Sequence, residues 1–339
     1  MAWKDVLRVE PYPFGRRFAV TFVDDTDHAT RANIAAPYAC LREHGLRITK
    51  TVWPLRPAAP SGGYASLPQD GETLQDIPYR EFCQQLQADG FELAMHGASA
   101  GDNTRDRTIA AYRLFEEVFG RAPATNVMHA RNRENIYWGR HSVPQRLLAA
   151  MVGRMEPLDF AGHQRDSAYY WGDVCREKTR YVRQFEALHA DTLRFDPATP
   201  YHDPRKPDVS WWFSATYGAG TRLLRLMTAE TLDALAERRG ASILHLYMYH
   251  YSVAERDGTR RVHPGFRAAV ERMAAREDGW YVPVAALRVL GPDTTLATRA
   301  VAGAQIDKVV YSNGVNLLMR QDASETGKVY VNVRFGRGL

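Results

Sequence analysis

Residues 18–28 read FAVTFVDDTDH: a run of β-favouring residues that ends in three carboxylates within four positions, Asp24, Asp25 and Asp27, followed by His28. The run has the length and composition of a strand, and the acidic residues sit at its carboxyl end. The same alternation of a short β-rich run with a helical pattern recurs along most of the chain. Further strands are predicted at Ile48–Trp53, Phe91–Met95, Thr125–Met128, Leu158–Ala161, Trp211–Ser214, Ser242–Tyr249 and Trp280–Val282. Between them, apolar residues recur at helical spacing, as in Tyr79, Phe82 and Leu86, or Ile109, Tyr112, Phe115 and Phe119, or Phe266, Val270 and Met273. Thr228 is placed to cap a helix start, and Gly240 and Gly279 to follow helix ends.

Strand and helix alternating in this way signify parallel βα units rather than a sandwich. About seven to eight strands suit a parallel α/β barrel, with a doubly wound open sheet as the competitor, and no G-x-G-x-x-G or Walker loop favours the latter. Pro54–Asp76 and Ser167–Ser210 break the rhythm and are assigned to long loops on the substrate side. After Leu290 the pattern changes to the extended segments Lys308–Tyr311, Val315–Arg320 and Lys328–Phe335, with Asn313-Gly314 and Gly327 as turns. The expected organisation is therefore a (β/α) barrel over residues 1–290 and a small antiparallel β appendix over 291–339. Exposed strand edges in that appendix make a homo-oligomer an expectation.

Composition narrows the function classes. The chain has 339 residues, 45% of them hydrophobic and 24% charged, enough for a full core. Its formal charge is +5, but the 44 basic and 39 acidic residues are interspersed, which argues against a nucleic-acid partner. The three cysteines, Cys40, Cys83 and Cys175, have no CxxC spacing, so neither a disulfide framework nor a thiolate zinc site is expected. With no signal-peptide core and no membrane-span pattern, a cytoplasmic location is the expectation.

Like charges packed as closely as Asp24, Asp25 and Asp27 repel unless a cation or shared proton compensates them. Three histidines fall at predicted strand ends: His96, His129 and His250. That is the face on which barrel enzymes build their sites. Oxygen and imidazole donors without thiolate suit a divalent metal, zinc first, with a position left open for water. Aromatic residues in the loops, chiefly Trp53 and Trp171, are placed to stack on sugar rings, and Asn132 and His202 are further substrate-binding candidates.

These residues carry a family resemblance. FAVTFVDDTD resembles the first motif of the NodB-like polysaccharide deacetylases of carbohydrate esterase family 4, GFELAMHG their second motif, and ILHLYMYH their last. The runs MHARNRENIYWG, YYWGDVCREKTRYVRQF, ATPYHDPRKPDVSWWFSATYG and EDGWYVPVAAL resemble the WbmS-like subgroup of bacterial O-antigen loci. The resemblance spans about Phe18 to Leu290 and implies a distorted barrel of NodB type acting on a carbohydrate. It implies Asp24 as catalytic base, Asp25 and His96 as metal ligands, and His250 as general acid. Two departures stand out: the family's second motif carries another His where this chain has Ala100, and Thr26 replaces a Gly. His129 is the suggested third ligand in place of the missing His, and Asp27 competes for either carboxylate role.

The expected reaction is metal-dependent hydrolysis of an amide or ester on an acylated sugar or oligosaccharide, in cell-surface polysaccharide or O-antigen metabolism. Two alternatives stand beside it. One is a catalytically silent carbohydrate-binding barrel; the other is a metal-independent glycoside hydrolase using Asp24 and Asp27.

Overall fold

The computed structural model describes residues 12–58, 71–143, 151–154, 159–287, 295–301, 304–310, 315–321 and 329–335. Seven parallel strands close on themselves: β1 (Phe18–Asp24), β2 (Thr49–Val52), β3 (Glu92–Met95), β4 (Thr125–Asn126), β5 (Tyr181–Ala187), β6 (Trp211–Tyr217) and β7 (Ala241–Leu246). Each pairs with the next, and β7 returns to β1 along Ala19–Asp24. A short antiparallel pair follows, β8 (Ser252–Ala254) with β9 (Arg260–Val262), and then β10 (Gly279–Tyr281). β10 pairs with Phe18–Val20 at the start of β1, whereas β2 pairs only with Val23 and Asp24 at its end. An extra strand inserted beside β1 in this way is what distorts the barrel.

The side-chain period of two along a strand decides what each barrel residue does. Phe18, Val20 and Phe22 of β1 belong to the apolar core between barrel and helices, and Phe22 meets Phe266 of the helix Pro264–Ala274 with ring centroids 6.4 Å apart. Ala19, Thr21 and Val23 are buried but lie outside that cluster, so they face the barrel interior. Burying a Phe side chain contributes about 1.5–3 kcal/mol, so this one strand anchors several kcal/mol of core.

The helices form where the sequence places caps and periodic apolar residues. α1 (Arg31–Glu43) starts at Thr30, whose side chain accepts from Asn33 N while the Asn33 side chain accepts from Thr30 N, a reciprocal capping box. α2 (Ile77–Ala88) buries Tyr79, Cys83 and Leu86, and α3 (Arg105–Phe119) buries Tyr112, Phe115 and Phe119. Thr228 caps the helix Ala229–Arg238 as expected. Its left-handed terminal residue is Arg239 (φ 55°) rather than Gly240. Gly240 is needed for a different reason: a Cβ there would lie 2.5 Å from Asp191 Oδ2.

One predicted strand is absent, and one strand lies where the sequence pattern predicts a loop. Asp159–Ala161 are not in a strand, and Leu158 lies outside the described residues. This segment is instead laced to the loop before it, with Ala161 N donating to Arg133 O and Trp171 N donating to Gly162 O. The strand in that part of the barrel is β5, YVRQFEA, inside the stretch assigned to a loop. Its Arg, Gln and Glu disguise it, because its inward residues serve a polar cavity instead of a core.

The chain divides into two compact units, one of Arg16–Leu287 and one of Met1–Gly15 with Arg288–Leu339. Within the second unit, β11 (Thr295–Val301), β12 (Ala304–Val310), β13 (Val315–Gln321) and β14 (Val329–Phe335) form an antiparallel meander in sequence order. Three of these overlap predicted segments and β11 is additional, while Asn313-Gly314 and Gly327 lie outside the described residues. All three cysteines are free and buried. Among the described residues, no helix is long and apolar enough to cross a membrane.

Candidate metal centre and active site

Strand parity separates the adjacent carboxylates of the first motif. Asp24 shares the helix-facing side with Phe22 and is fully buried. Its Oδ2 lies 3.0 Å from Lys50 Nζ and accepts from Tyr38 OH at 2.8 Å, and its Oδ1 accepts from Met248 N at 2.7 Å. Burial raises its pKa, opposed chiefly by Lys50. Asp24 does not line the cavity, so neither the expected base nor the Asp24–Asp27 glycosidase pair survives the geometry.

Asp25, one residue on, points into the cavity at the carboxyl ends of the strands. Arg183 grips it through Nη1 (3.1 Å) and Nη2 (2.7 Å), and His245 Nε2 stands 3.1 Å from Oδ2. Burial alone would raise the Asp25 pKa, but Arg183, then His245 and His96, outweigh it and hold the carboxyl well below the usual range. Engaged by Arg183 and His245, and 3.9 Å from His96 Nε2, Asp25 is not the carboxylate at the centre of the ligand cluster.

That place belongs to Asp27. Its Oδ2 lies 3.0 Å from His96 Nε2 and its Oδ1 3.1 Å from His129 Nε2, and the three donor atoms all fall within 4.8 Å of one another. Both rings are oriented from behind. His96 Nδ1 faces Val127 O at 2.9 Å, and a carbonyl only accepts, so the neutral ring carries its proton on Nδ1 and turns the Nε2 lone pair inward. His129 Nδ1 faces Asn132 Oδ1 at 3.1 Å. The Asn132 amide is itself fixed, because its Nδ2 donates to Ser99 O (3.0 Å) and Glu134 Oε1 (3.0 Å). Oδ1 must therefore be the atom that meets His129 Nδ1, which leaves His129 Nε2 facing Asp27 Oδ1 at 3.1 Å.

Two imine lone pairs aimed at one carboxylate repel it unless a proton or cation lies between them. Buried Asp27 Oδ2 has no hydrogen bond of good geometry. Three donors on a tetrahedral ion with bonds of 2.0–2.2 Å stand roughly 3.4 Å apart, within the 4.8 Å that bounds the three donor atoms here. The residues therefore fit a divalent metal with one carboxylate and two imidazoles, the outer nitrogens hydrogen-bonded as in other His-ligated metal sites. Burial depresses the His129 pKa, but Asp27 raises it further, so the net shift is upward.

A second device sits beside the cluster. β5 slips register between Arg183 and Glu186. On a regular strand residues three apart face opposite sides; the irregularity lets both side chains reach the cavity. Glu186 Oε1 approaches His245 Nδ1 at 2.6 Å and Arg183 Nε at 3.3 Å. Burial disfavours a charged His245, but Asp25 and Glu186 together raise its pKa to about 9.

His250, the expected acid, is elsewhere. Its Nδ1 accepts from Gly220 N at 3.1 Å, its ring packs on Tyr247 and Tyr249, and burial lowers its pKa. Strand β7 ends at Leu246 instead of running to Tyr249, so His245 is the histidine at the strand end. The four expected substrate contacts also lie outside the cavity lining. Trp53 is buried, stacked on His96 (6.0 Å, 28°) and edge-on to His129, so it backs the ligands. Trp171 is buried and donates from Nε1 to Glu134 O; Asn132 supports His129; His202 Nδ1 meets Ser210 O at 3.1 Å. Ala100, in the place of the family's second His, is buried.

The cavity, about 450 Å³, is completed by aromatic residues that the sequence pattern does not single out: Trp138, Tyr217, Tyr247 and Tyr249. All four lie within quoted runs: Trp138 in NRENIYWG, Tyr217 near the end of the run that closes on WWFSATYG, and Tyr247 and Tyr249 in ILHLYMYH.

No family model matches the chain, and a search of curated proteins finds none that matches either. Among solved structures, the chain is similar to a Puue allantoinase (11% identity, TM-score 0.47, covering 82% of this chain and 92% of that one). It is also similar to a probable polysaccharide deacetylase from Pseudomonas aeruginosa (12% identity, TM-score 0.46, 81% and 91%). A third is the peptidoglycan deacetylase PdaC from Bacillus subtilis (10% identity, TM-score 0.35, 82% and 91%). The fold to which the side chains above are attached is a parallel seven-stranded barrel with an extra strand.

Proposed function

We propose that this chain is a metal-dependent hydrolase that removes an acyl group from an N- or O-acylated sugar. The observation that carries the reading is the convergence, in one cavity, of the Asp27–His96–His129 cluster with the Asp25–Arg183 and His245–Glu186 pairs. Zinc suits the nitrogen and oxygen donors best, and once held there it supplies Lewis-acid polarisation of the acyl oxygen and acidifies water.

Asp25 is the carboxylate beside the metal cluster that lines the cavity without being at its centre, and it takes the proton from the attacking water. Arg183 keeps it oriented and charged. His245, with a pKa of about 9, carries its proton at neutral pH and delivers it from Nε2 to the departing amine or alcohol, with Glu186 Oε1 2.6 Å from Nδ1 to offset its charge. Trp138, Tyr217, Tyr247 and Tyr249 offer apolar faces with polar edges, which suit a sugar ring. The resemblance to O-antigen proteins supports a place in cell-surface polysaccharide assembly.

The test is release of free amine from N-acetylated and N-formylated amino sugars, before and after chelation and after zinc is restored. Loss on chelation with recovery on zinc supports the reading; hydrolysis indifferent to chelation contradicts it. Stoichiometric metal that disappears in His96→Ala excludes the silent binding barrel.

A further inference from the structure

Beside the catalytic cavity lies a second one of about 300 Å³, lined by Tyr137, Arg140, His141, His163, Arg205 and Lys206, with Val143 and Asp203. Two short links place it next door. Tyr137 precedes Trp138, which lines the first cavity, and Gln184, whose Oε1 lies 3.4 Å from Lys206 Nζ, follows Arg183. Strand parity puts consecutive residues Arg183 and Gln184 on opposite faces of β5, so the second cavity stands across the barrel wall from the first.

Its chemistry is cationic. The carboxylate among the lining residues, Asp203, is engaged by Arg205 through Nε (2.8 Å) and Nη2 (3.0 Å). Lys206 is only 6% exposed. Its ammonium donates to Ser142 O at 2.9 Å and lies 5.1 Å from the centre of the Trp212 ring, and no carboxylate among the described residues forms an ion pair with it. A desolvated ammonium held by neutral oxygens and a π face is only partly compensated. Burial pushes its pKa down to about 8, with Asp203 opposing, so it still bears charge at pH 7.

The imidazoles add donors. His163 is pushed down to about 4 by burial, and its Nδ1 accepts from Tyr137 N at 3.2 Å, so its proton sits on Nε2. His141 Nε2 accepts from Arg140 Nε at 3.2 Å, and the Arg140 Nη2 reaches Asp159. The segment bearing Lys206 is itself pinned, since Tyr137 OH donates to Asp208 at 2.8 Å and a Cβ at Gly172 would sit 2.6 Å from Asp208 Cγ.

We propose that this second cavity is an oxyanion site that takes the carboxylate or phosphate group of an acidic sugar. Lys206 supplies the buried point charge, and the guanidinium N–H groups of Arg205 and Arg140 that are not spent on aspartate supply directed donors. The anion-binding half of the inference stands apart from the hydrolase reading, because none of its residues belongs to the metal cluster; that a sugar bears the anion rests on that reading.

Calorimetric titration of the full chain with inorganic phosphate, glucuronate and, as neutral control, glucose tests it. The expected result is binding of phosphate, glucuronate or both, but not of glucose, weakened about tenfold or more in Lys206→Met. The same anion binding persists in His96→Ala, which separates this site from anion capture by a metal. Binding confined to phosphate assigns a phosphate ester, and binding confined to glucuronate a carboxylate. If Lys206→Met fails to fold, Arg205→Gln, at a largely exposed side chain, provides the second reading, with weakening expected there too. Absence of binding by both anions, unchanged affinity in a folded variant, or loss of binding in His96→Ala overturns the proposal.

Discussion

Asp24 and Asp25 are neighbours of identical chemistry, each with a buried cation beside it, and the barrel wall puts them to opposite uses. Asp24 meets Lys50 among Tyr38 and the helix-facing core, with both side chains wholly inaccessible. Asp25 meets Arg183 in a cavity that also holds His245 and the cluster around Asp27. On the helix side a buried ion pair is costly to break and lies outside the cavity; on the lumen side a similar pair sets a carboxylate in the cavity lining.

The sharpest way to break that contrast is to neutralise each carboxylate in turn. Asp25→Asn is expected to lower kcat by about 10²–10⁴-fold, the range for loss of a general base. Asp24→Asn is expected to act on stability instead, by about 3–5 kcal/mol, because it strands the Lys50 ammonium. Denaturant unfolding and steady-state kinetics on the two variants read the difference, and the double variant Asp24→Asn/Lys50→Met should regain part of the lost stability. Equal kinetic losses in both would erase the distinction.

The second prediction concerns pH. His245 is raised from an ordinary 6.5 to about 9. Its stabilising contribution is therefore complete below about 6.5 and is lost as pH rises through about 9, and activity should fall along the same alkaline limb. Glu186→Gln removes one of the two carboxylates that hold the proton and should move the limb acidward by about one pH unit. A pH profile of kcat/KM unchanged by that substitution would remove His245 from the role of acid.

A smaller effect is expected behind the cluster. Asn132 does not line the cavity of the metal cluster but fixes the His129 ring, so Asn132→Leu should weaken metal binding by about 10–100-fold, as outer partners of metal-bound histidines do. Competition with a chelating indicator measures it. Unaltered affinity would mean that His129 holds its orientation without help.

Much of this is legible in the sequence, and the failures share a cause. The barrel, the antiparallel appendix, and His96 directly after β3 all follow from periodicity and position; His129, expected directly after a strand Thr125–Met128, lies three residues beyond the end of β4 at Asn126. Parity is the missing step: counting inward and outward along FAVTFVDD pairs Asp25, not Asp24, with the lumen, but only if the first inward residue is known. His245 escapes the pattern because the apolar run ILHLYMY continues beyond the true strand end at Leu246. Arg183 and Glu186 stay hidden because a strand whose lumen face builds a polar site no longer alternates like a core strand, and because three residues of spacing face one way only across an irregularity. Trp53 and Trp171 look like sugar platforms by type, yet both are packed behind the site.

The central claim is that one divalent ion is held by Asp27, His96 and His129, with Asp25 reserved for proton transfer. Anomalous diffraction at the zinc absorption edge, from crystals of the zinc-loaded protein, tests it most directly. The expected result is a single peak within about 2.0–2.2 Å of a carboxylate oxygen of Asp27 and of Nε2 of both histidines, with Asp25 still paired to Arg183. A peak coordinated by Asp25 in place of Asp27, or no peak within reach of either histidine, would contradict it.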